Sequence, residues 1–199
     1  MITSDNLVEE LSGHGLIDFF ISPSNEINKD NSNAKLALSF AKGKLTDMKL
    51  LEDFSKYISL DDLMDICFQS FSNLLEWKGN VLSIPMIFIN NNAANISLSG
   101  YHDTNNKFMY NIQLNASDVL ARKLGRKKSN ARRKGWWNMY YVIKGQGNEY
   151  EMLSDKERVK KSFRKSKFNK KAIFKSLLDE FGNTPILQDL NDWNLRPDA

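Results

Sequence analysis

With 199 residues, 41% of them apolar and 11% aromatic, the chain can build one domain of ordinary size around a buried core. It has no run of about 18 apolar residues, which excludes a transmembrane helix, and its single cysteine, Cys67, excludes an internal disulfide and a cysteine-based metal knuckle. The formal charge of +4 conceals two unlike halves: residues 1–100 carry 7 Lys against 13 Asp+Glu, and residues 101–199 carry 21 Lys+Arg against 11 Asp+Glu.

The N-terminus, "MITSDNLVEELSGHG", is acidic and lacks the apolar run of a secretory signal. Together with the lone cysteine it predicts an intracellular location, cytoplasmic or, in a eukaryotic host, nuclear. Asp5–Leu11 predicts a short helix stopped by Gly13, and "LIDFFIS" (16–22) a strand. The polar stretch 23–33 predicts a loop. Leu45–Tyr57 reads as helical, and a stronger helix is predicted from Leu60 to about Trp77. Ser59 suits its N-cap, and Asp61 and Asp62 its first turn. Leu60, Leu63, Met64, Cys67, Phe71, Leu74 and Leu75 recur at the three-and-four spacing of one helical face, where Cys67 reads as a core residue.

From residue 80 the period shortens. "NVLSIPMIFIN" (80–90) predicts a strand, with Pro85 marking an edge or a bulge. Residues 96–101 and 107–114 predict a hairpin around "HDTNNK". Residues 117–134 are compatible with a helix interrupted by Gly125. "WWNMYYVIK" and "NEYEML" predict a second hairpin around "GQG". Ser154 with Glu157 is a capping-box pair, opening a basic helix from Asp155 that can break near Asn169 and ends at Phe181, with Gly182 at C′. The tail from Asn183 has apolar anchors but no clear period. The expected fold is α+β, a mainly antiparallel sheet flanked by N-terminal and C-terminal helices. The chain reads as one domain, 1–199, divisible into an acidic helical N-terminal subdomain (1–79) and a basic α+β C-terminal subdomain (80–199).

Charge concentrates in "RKKSNARRKGWWNMYY" (126–141), where six cations fall between Arg126 and Lys134 and four large aromatics follow. All seven arginines lie at or after Arg122. The guanidinium fork binds phosphate bidentately and stacks on rings, which a merely solubilising charge does not require. Lys and Arg neutralise phosphates and release counterions, and aromatics stack on bases. Strand alternation puts Trp137, Met139, Tyr141 and Ile143 on one face, an apolar one. Trp136, Asn138, Tyr140 and Val142 share the other, more polar face, which makes Trp136 and Tyr140 the stacking candidates.

A second basic segment, "KERVKKSFRKSKFNKKAIFKS", pairs Val159 with Phe163, Ile173 with Leu177 and Phe174 with Leu178 at i, i+4. Those pairs can pin a helix to a core while Lys160, Lys161, Arg164, Lys165, Lys167, Lys170 and Lys171 point outward. The expected nucleic-acid-binding residues are Arg122, Arg126, Lys127, Lys128, Arg132, Arg133, Lys134, Trp136, Tyr140, Lys160, Lys161, Arg164 and Lys165. Basic runs of this kind also occur as solvated faces, as nuclear-import signals and as helices lying on acidic membranes; the sparse apolar residues rank the membrane below nucleic acid.

Catalytic signatures are thin. The two histidines, His14 and His102, are far apart in sequence, and no nucleophile elbow, P-loop or dinucleotide glycine fingerprint is present. No cofactor or metal is expected. Metal-dependent nucleases cluster carboxylates around Mg²⁺, and Glu149 and Glu151 share one face of a predicted strand before a basic segment. No lysine stands two residues after either, however, and no Pro-Asp precedes them. Asp61, Asp62 and Asp65 read as helix N-terminal charge. The sequence therefore predicts a non-catalytic nucleic-acid-binding protein, DNA or RNA, whose acidic N-terminal half is scaffold or a docking surface for a protein partner. The layout is compatible with many phage, plasmid or viral accessory proteins. The rival readings are a protein-interaction factor, inhibitor or adaptor, whose basic face docks an acidic protein, and a metal-dependent nuclease.

Overall fold

The structure, a computed structural model, describes residues 7–8, 11–21, 27–40, 43–46, 65–68, 71–90, 95–115 and 138–195. Strands β1 (Leu7–Val8), β4 (Gly43–Thr46) and β5 (Asp65–Phe68) make a small three-stranded sheet in the order β1-β4-β5. The large sheet has eight strands, all antiparallel. They are β2 (Leu11–Ile21), β3 (Ile27–Phe40), β6 (Phe71–Lys78), β7 (Val81–Ile89), β8 (Ile96–Asp103), β9 (Lys107–Asn115), β10 (Asn138–Gln146) and β11 (Glu149–Ser154). Their order across the sheet is β11-β10-β9-β8-β7-β6-β3-β2, a meander from β6 to β11 extended at one side by the β2–β3 hairpin. Two C-terminal helices follow, α1 (Lys156–Phe181) and α2 (Pro185–Leu195). The architecture is α+β with one dominant sheet, and among the described residues no helix is long and apolar enough to cross a membrane.

Where the structure describes the segments expected to be N-terminal helices, they are strands. Leu7–Val8 and Leu11–Ile21 are strands, and Leu45–Thr46 lies in β4, with the rest of 45–57 outside the described residues. Over the described part of 60–77, the chain forms β5 and β6. Apolar residues on both faces of a strand can mimic a helical stripe. Leu74 stands opposite Ala37 and packs against the helices, whereas the adjacent Leu75 stands opposite Leu36 on the other face. Cys67, expected in a core, is exposed on β5. The expected loop 23–33 is extended from Ile27 onward: the polar run 28–33 belongs to β3, which pairs with β2 at Ile27 and Asn28 and again from Asn33, with an irregularity between, and with β6 from Asn33. Strand formation there rests on neighbours distant in sequence, which outweigh the weak strand preference of Asn and Asp.

Over the described residues of the second half the expected strands and hairpins form, while the helix expected over 117–134 lies outside them. Pro85 marks a bulge: Ile84 faces Gly100 and Ile87 faces Leu98, so Pro85 and Met86 together oppose Ser99. β8 and β9 turn at Thr104–Asn106, where Asp103 Oδ1 accepts from the amides of Asn105 and Lys107. The second hairpin forms, but its turn is Gly147-Asn148 and not 145–147: Gly145 and Gln146 end β10, and Gln146 pairs with Glu149. Gly147 has φ 62° and Asn148 does not have positive φ, the pattern of a type II′ hairpin turn.

The N-cap of α1 is Asp155 rather than Ser154: its Oδ1 accepts from the Arg158 amide at 2.9 Å, while Ser154 ends β11. α1 runs unbroken through Asn169 for 26 residues and stops at Gly182, φ 67°, whose N–H donates to the Leu178 carbonyl. α1 lies across one sheet face. Its first half packs Val159 and Phe163 on Val142 of β10. Its second half packs Ile173 and Leu177, with Leu187 and Leu190 of α2, on Ala37 and Leu74. Each such side chain contributes roughly 1.5–3 kcal/mol on burial. The opposite sheet face carries a second core of Phe108, Ile112, Leu114, Tyr141 and Ile143.

Candidate nucleic-acid interface

A helix anchored by one stripe presents the rest of its surface to solvent. Between Arg158 and Leu178, α1 carries nine cations and no carboxylate. Val159, Phe163, Ser166, Ile173 and Leu177 form the buried stripe. Lys160, Lys161, Arg164, Lys165, Lys167, Lys171 and Lys175 are all exposed, and among the described residues none of the seven has an ion-pair partner. Other cations are engaged locally. Lys170 Nζ donates to the Met86 carbonyl at 3.2 Å, and an Arg158 guanidinium nitrogen lies 2.9 Å from Met109 Sδ.

This arrangement works against the helix. Lys160–Arg164, Lys161–Lys165, Lys167–Lys171 and Lys171–Lys175 are like-charged i, i+4 pairs. At a few tenths of a kcal/mol each, they destabilise it by roughly 1–2 kcal/mol in total. The apolar stripe offsets that repulsion, and a bound polyanion would relieve it.

Phe168 stands on the crest of this face. It follows Phe163 by five residues, about 140° round the helix, and is 75% exposed, the most exposed large hydrophobic side chain among the described residues. Arg164 and Lys165 precede it by one turn and Lys171 follows by one turn. Sequence reading by i, i+4 pairs missed Phe168, although the same helical geometry puts it off the apolar stripe.

The structure thus brings together Lys160, Lys161, Arg164 and Lys165, four of the expected site residues, on one helix. Arg122, Arg126, Lys127, Lys128, Arg132, Arg133, Lys134 and Trp136 lie outside the described residues, as does Trp137. Tyr140 is half-buried and packs on the Val142–Val159–Phe163 cluster, with Lys156 Nζ 6.0 Å from its ring centre. The alternation inferred for β10 is correct, with Tyr141 and Ile143 in one core. The other face is not the open one expected, because α1 covers it and leaves Val142 only 1% exposed.

Beside α1, a pocket of about 370 Å³ opens between the helix and strands β6 to β9. Arg158, Lys161 and Lys165 line its helix side, and Ser99, Tyr101 and Asn111 its sheet side. Glu149 and Glu151, the nuclease candidates, are exposed on the edge strand β11, and Glu151 pairs with Lys144 at 2.6 Å. Among the described residues no three His, Cys, Asp or Glu gather as metal ligands. On the far sheet face His102 Nδ1 lies 3.0 Å from the Tyr110 hydroxyl, and burial pushes that hydroxyl above its ordinary 10.0.

Compared with protein-family models, curated proteins and solved structures, the chain finds no match.

Proposed function

We propose that the protein binds nucleic acid without acting on it chemically, through the solvent face of α1 acting together with the arginine-rich run 122–134. The observation that supports this is the row of seven exposed cations on α1, without ion-pair partners among the described residues, around an outward-facing Phe168. From Lys160 to Lys175 the row extends about 22 Å along the axis at 1.5 Å per residue. That length faces several successive phosphates at about 3.4 Å per nucleotide of one strand. Phe168 among the cations adds a surface on which a base can stack, a contact worth roughly 1–3 kcal/mol.

The test is a titration against random-sequence single- and double-stranded DNA and RNA at about 50 and about 200 mM salt. Wild type should bind with a steep salt dependence. The variant with Lys160, Lys161, Arg164 and Lys165 all changed to Ala should bind at least roughly tenfold more weakly with a shallower slope. Absence of affinity for every polymer at the lower salt would refute the reading and transfer the basic face to an acidic protein partner.

A further inference from the structure

The pocket beside α1 contains chemistry that a stripe of phosphate contacts does not need. Its helix side offers three cations at i, i+3 and i+7, Arg158, Lys161 and Lys165, which line one flank of the helix over about 10 Å. Its sheet side sets two buried polar side chains, Ser99 and Asn111, among apolar neighbours that include Ile84, Pro85 and Met109. Ser99 is buried, and its hydroxyl lies 3.1 Å from that of Ser162. Asn111 is 1% exposed. Its amide nitrogen reaches the Ser99 carbonyl at 3.5 Å, but its Oδ1 is buried with no hydrogen-bond partner. A buried carbonyl oxygen lacking a partner is costly. Here it belongs to a residue that lines a pocket large enough for a small molecule.

The two ends ask for different things from a ligand. The cations call for an anion, and phosphate suits them because Arg can bind two of its oxygens at once. Asn111 Oδ1 calls for an N–H or O–H donor, which an ionised phosphate group does not supply. Glu76, also in the lining, is a second acceptor, unfavourable to an anion and favourable to an N–H. An apolar ligand would leave these groups unmet. Every common nucleobase carries an N–H on its pairing edge, so a nucleotide provides both halves. Tyr101, on the same side, adds a ring within the lining.

We infer that this pocket receives a single nucleotide unit, its phosphate held by Arg158, Lys161 and Lys165 and a base N–H donated to Asn111 Oδ1. The choice of a nucleotide rests on the nucleic-acid reading above. A strand lying along α1 would turn one base into the pocket, so that unpaired nucleotides are favoured over duplex.

Adenosine monophosphate, adenosine and inorganic phosphate are titrated calorimetrically into the full chain, beside a binding titration with a random single-stranded oligonucleotide. Adenosine monophosphate should bind at one site, roughly tenfold or more tighter than either fragment. Arg158→Ala with Lys161→Ala, both at exposed positions, should weaken it by a similar factor. Asn111→Leu should weaken adenosine monophosphate severalfold and leave inorganic phosphate unchanged. Should that variant not fold, the Asn111 side-chain amide resonance of wild type decides: it should shift with adenosine monophosphate and not with phosphate. Equal affinity for inorganic phosphate and adenosine monophosphate would overturn the inference, leaving only an anion site. Oligonucleotide binding without mononucleotide binding would overturn it while the α1 reading stands. Mononucleotide binding through Asn111 without oligonucleotide binding would sustain the pocket and remove the polymer reading.

Discussion

Reversing one charge on α1 should raise stability and lower affinity together. Lys171 is exposed and sits one turn from Lys167 and one turn from Lys175, with no ion-pair partner among the described residues. Lys171→Glu replaces two like-charged i, i+4 contacts by two opposite-charged ones. Removing each repulsion and adding each attraction is worth about 0.2–0.5 kcal/mol, so four such terms give roughly 0.8–2 kcal/mol. Solvent exposure and salt reduce this, and about 1 kcal/mol is the expected gain. Helix propensity does not confuse the result, because Lys and Glu are nearly equal in it. For a chain of this size the melting temperature should rise by about 2–4 °C, measured by circular dichroism at low salt, and the rise should shrink as salt is added. In the same variant, nucleic-acid affinity should fall severalfold, and the slope of log K against log salt should become shallower by about 0.9 for one lost phosphate contact on duplex. A gain in stability with unchanged affinity would refute α1 as the contact face. A loss of stability would refute the repulsion itself, and with it the reason for treating the row as a functional feature.

Other substitutions separate the two sides of the same helix. Leu177→Ala, at a side chain 0% exposed among Ala37, Leu74, Leu187 and Leu190, should cost about 2–5 kcal/mol in chemical denaturation, whereas Phe168→Ala should leave folding nearly unchanged and weaken single-strand binding by roughly 1–3 kcal/mol; a large stability loss for Phe168→Ala would mean its ring is not an outward platform. Asp155→Ala should destabilise by about 0.5–2 kcal/mol through loss of the N-cap, and Ser154→Ala by less than about 0.5 kcal/mol; the reverse order would restore Ser154 as the cap. Tyr110 carries a pH signature: burial raises its folded-state value above 10.0, so the folded chain holds that proton more tightly than the unfolded chain. Its contribution is complete below about pH 10 and is lost as pH rises through the folded-state value. Unfolding free energy should therefore decline over that alkaline window, less steeply in Tyr110→Phe; identical profiles would assign the decline to other groups.

Features that depend on a few adjacent residues could be read before the fold was known. The second hairpin needs only a residue that tolerates positive φ between two alternating runs, although it turns at Gly147-Asn148 and not around the whole of 145–147. Gly182 ends α1 by satisfying one of its free carbonyls, and the i, i+4 pairs Val159–Phe163 and Ile173–Leu177 define its buried stripe, while the N-cap was expected one residue early, at Ser154 instead of Asp155. Given that helix, the outward direction of its cations, and of Phe168, follows from 3.6 residues per turn. Pro85 announced its bulge because it cannot donate to a ladder. β6 is different. Its Phe71, Leu74 and Leu75 satisfy a helical rhythm and a two-faced strand equally well, and the choice was made by β3 and β7 pairing along its two edges. The polar run 28–33 is held in β3 from its two ends, where Asn28 pairs with Phe20 and Asn33 with Asp18 and Lys78, whatever the side chains between prefer locally. Whether the Tyr140–Val142 face of β10 meets water or a helix depended on α1 folding back over it. The unmet Oδ1 of Asn111 exists only because β9 lies beneath that helix; in sequence Asn111 is one of many asparagines, since burial and the lack of a partner belong to the packed chain.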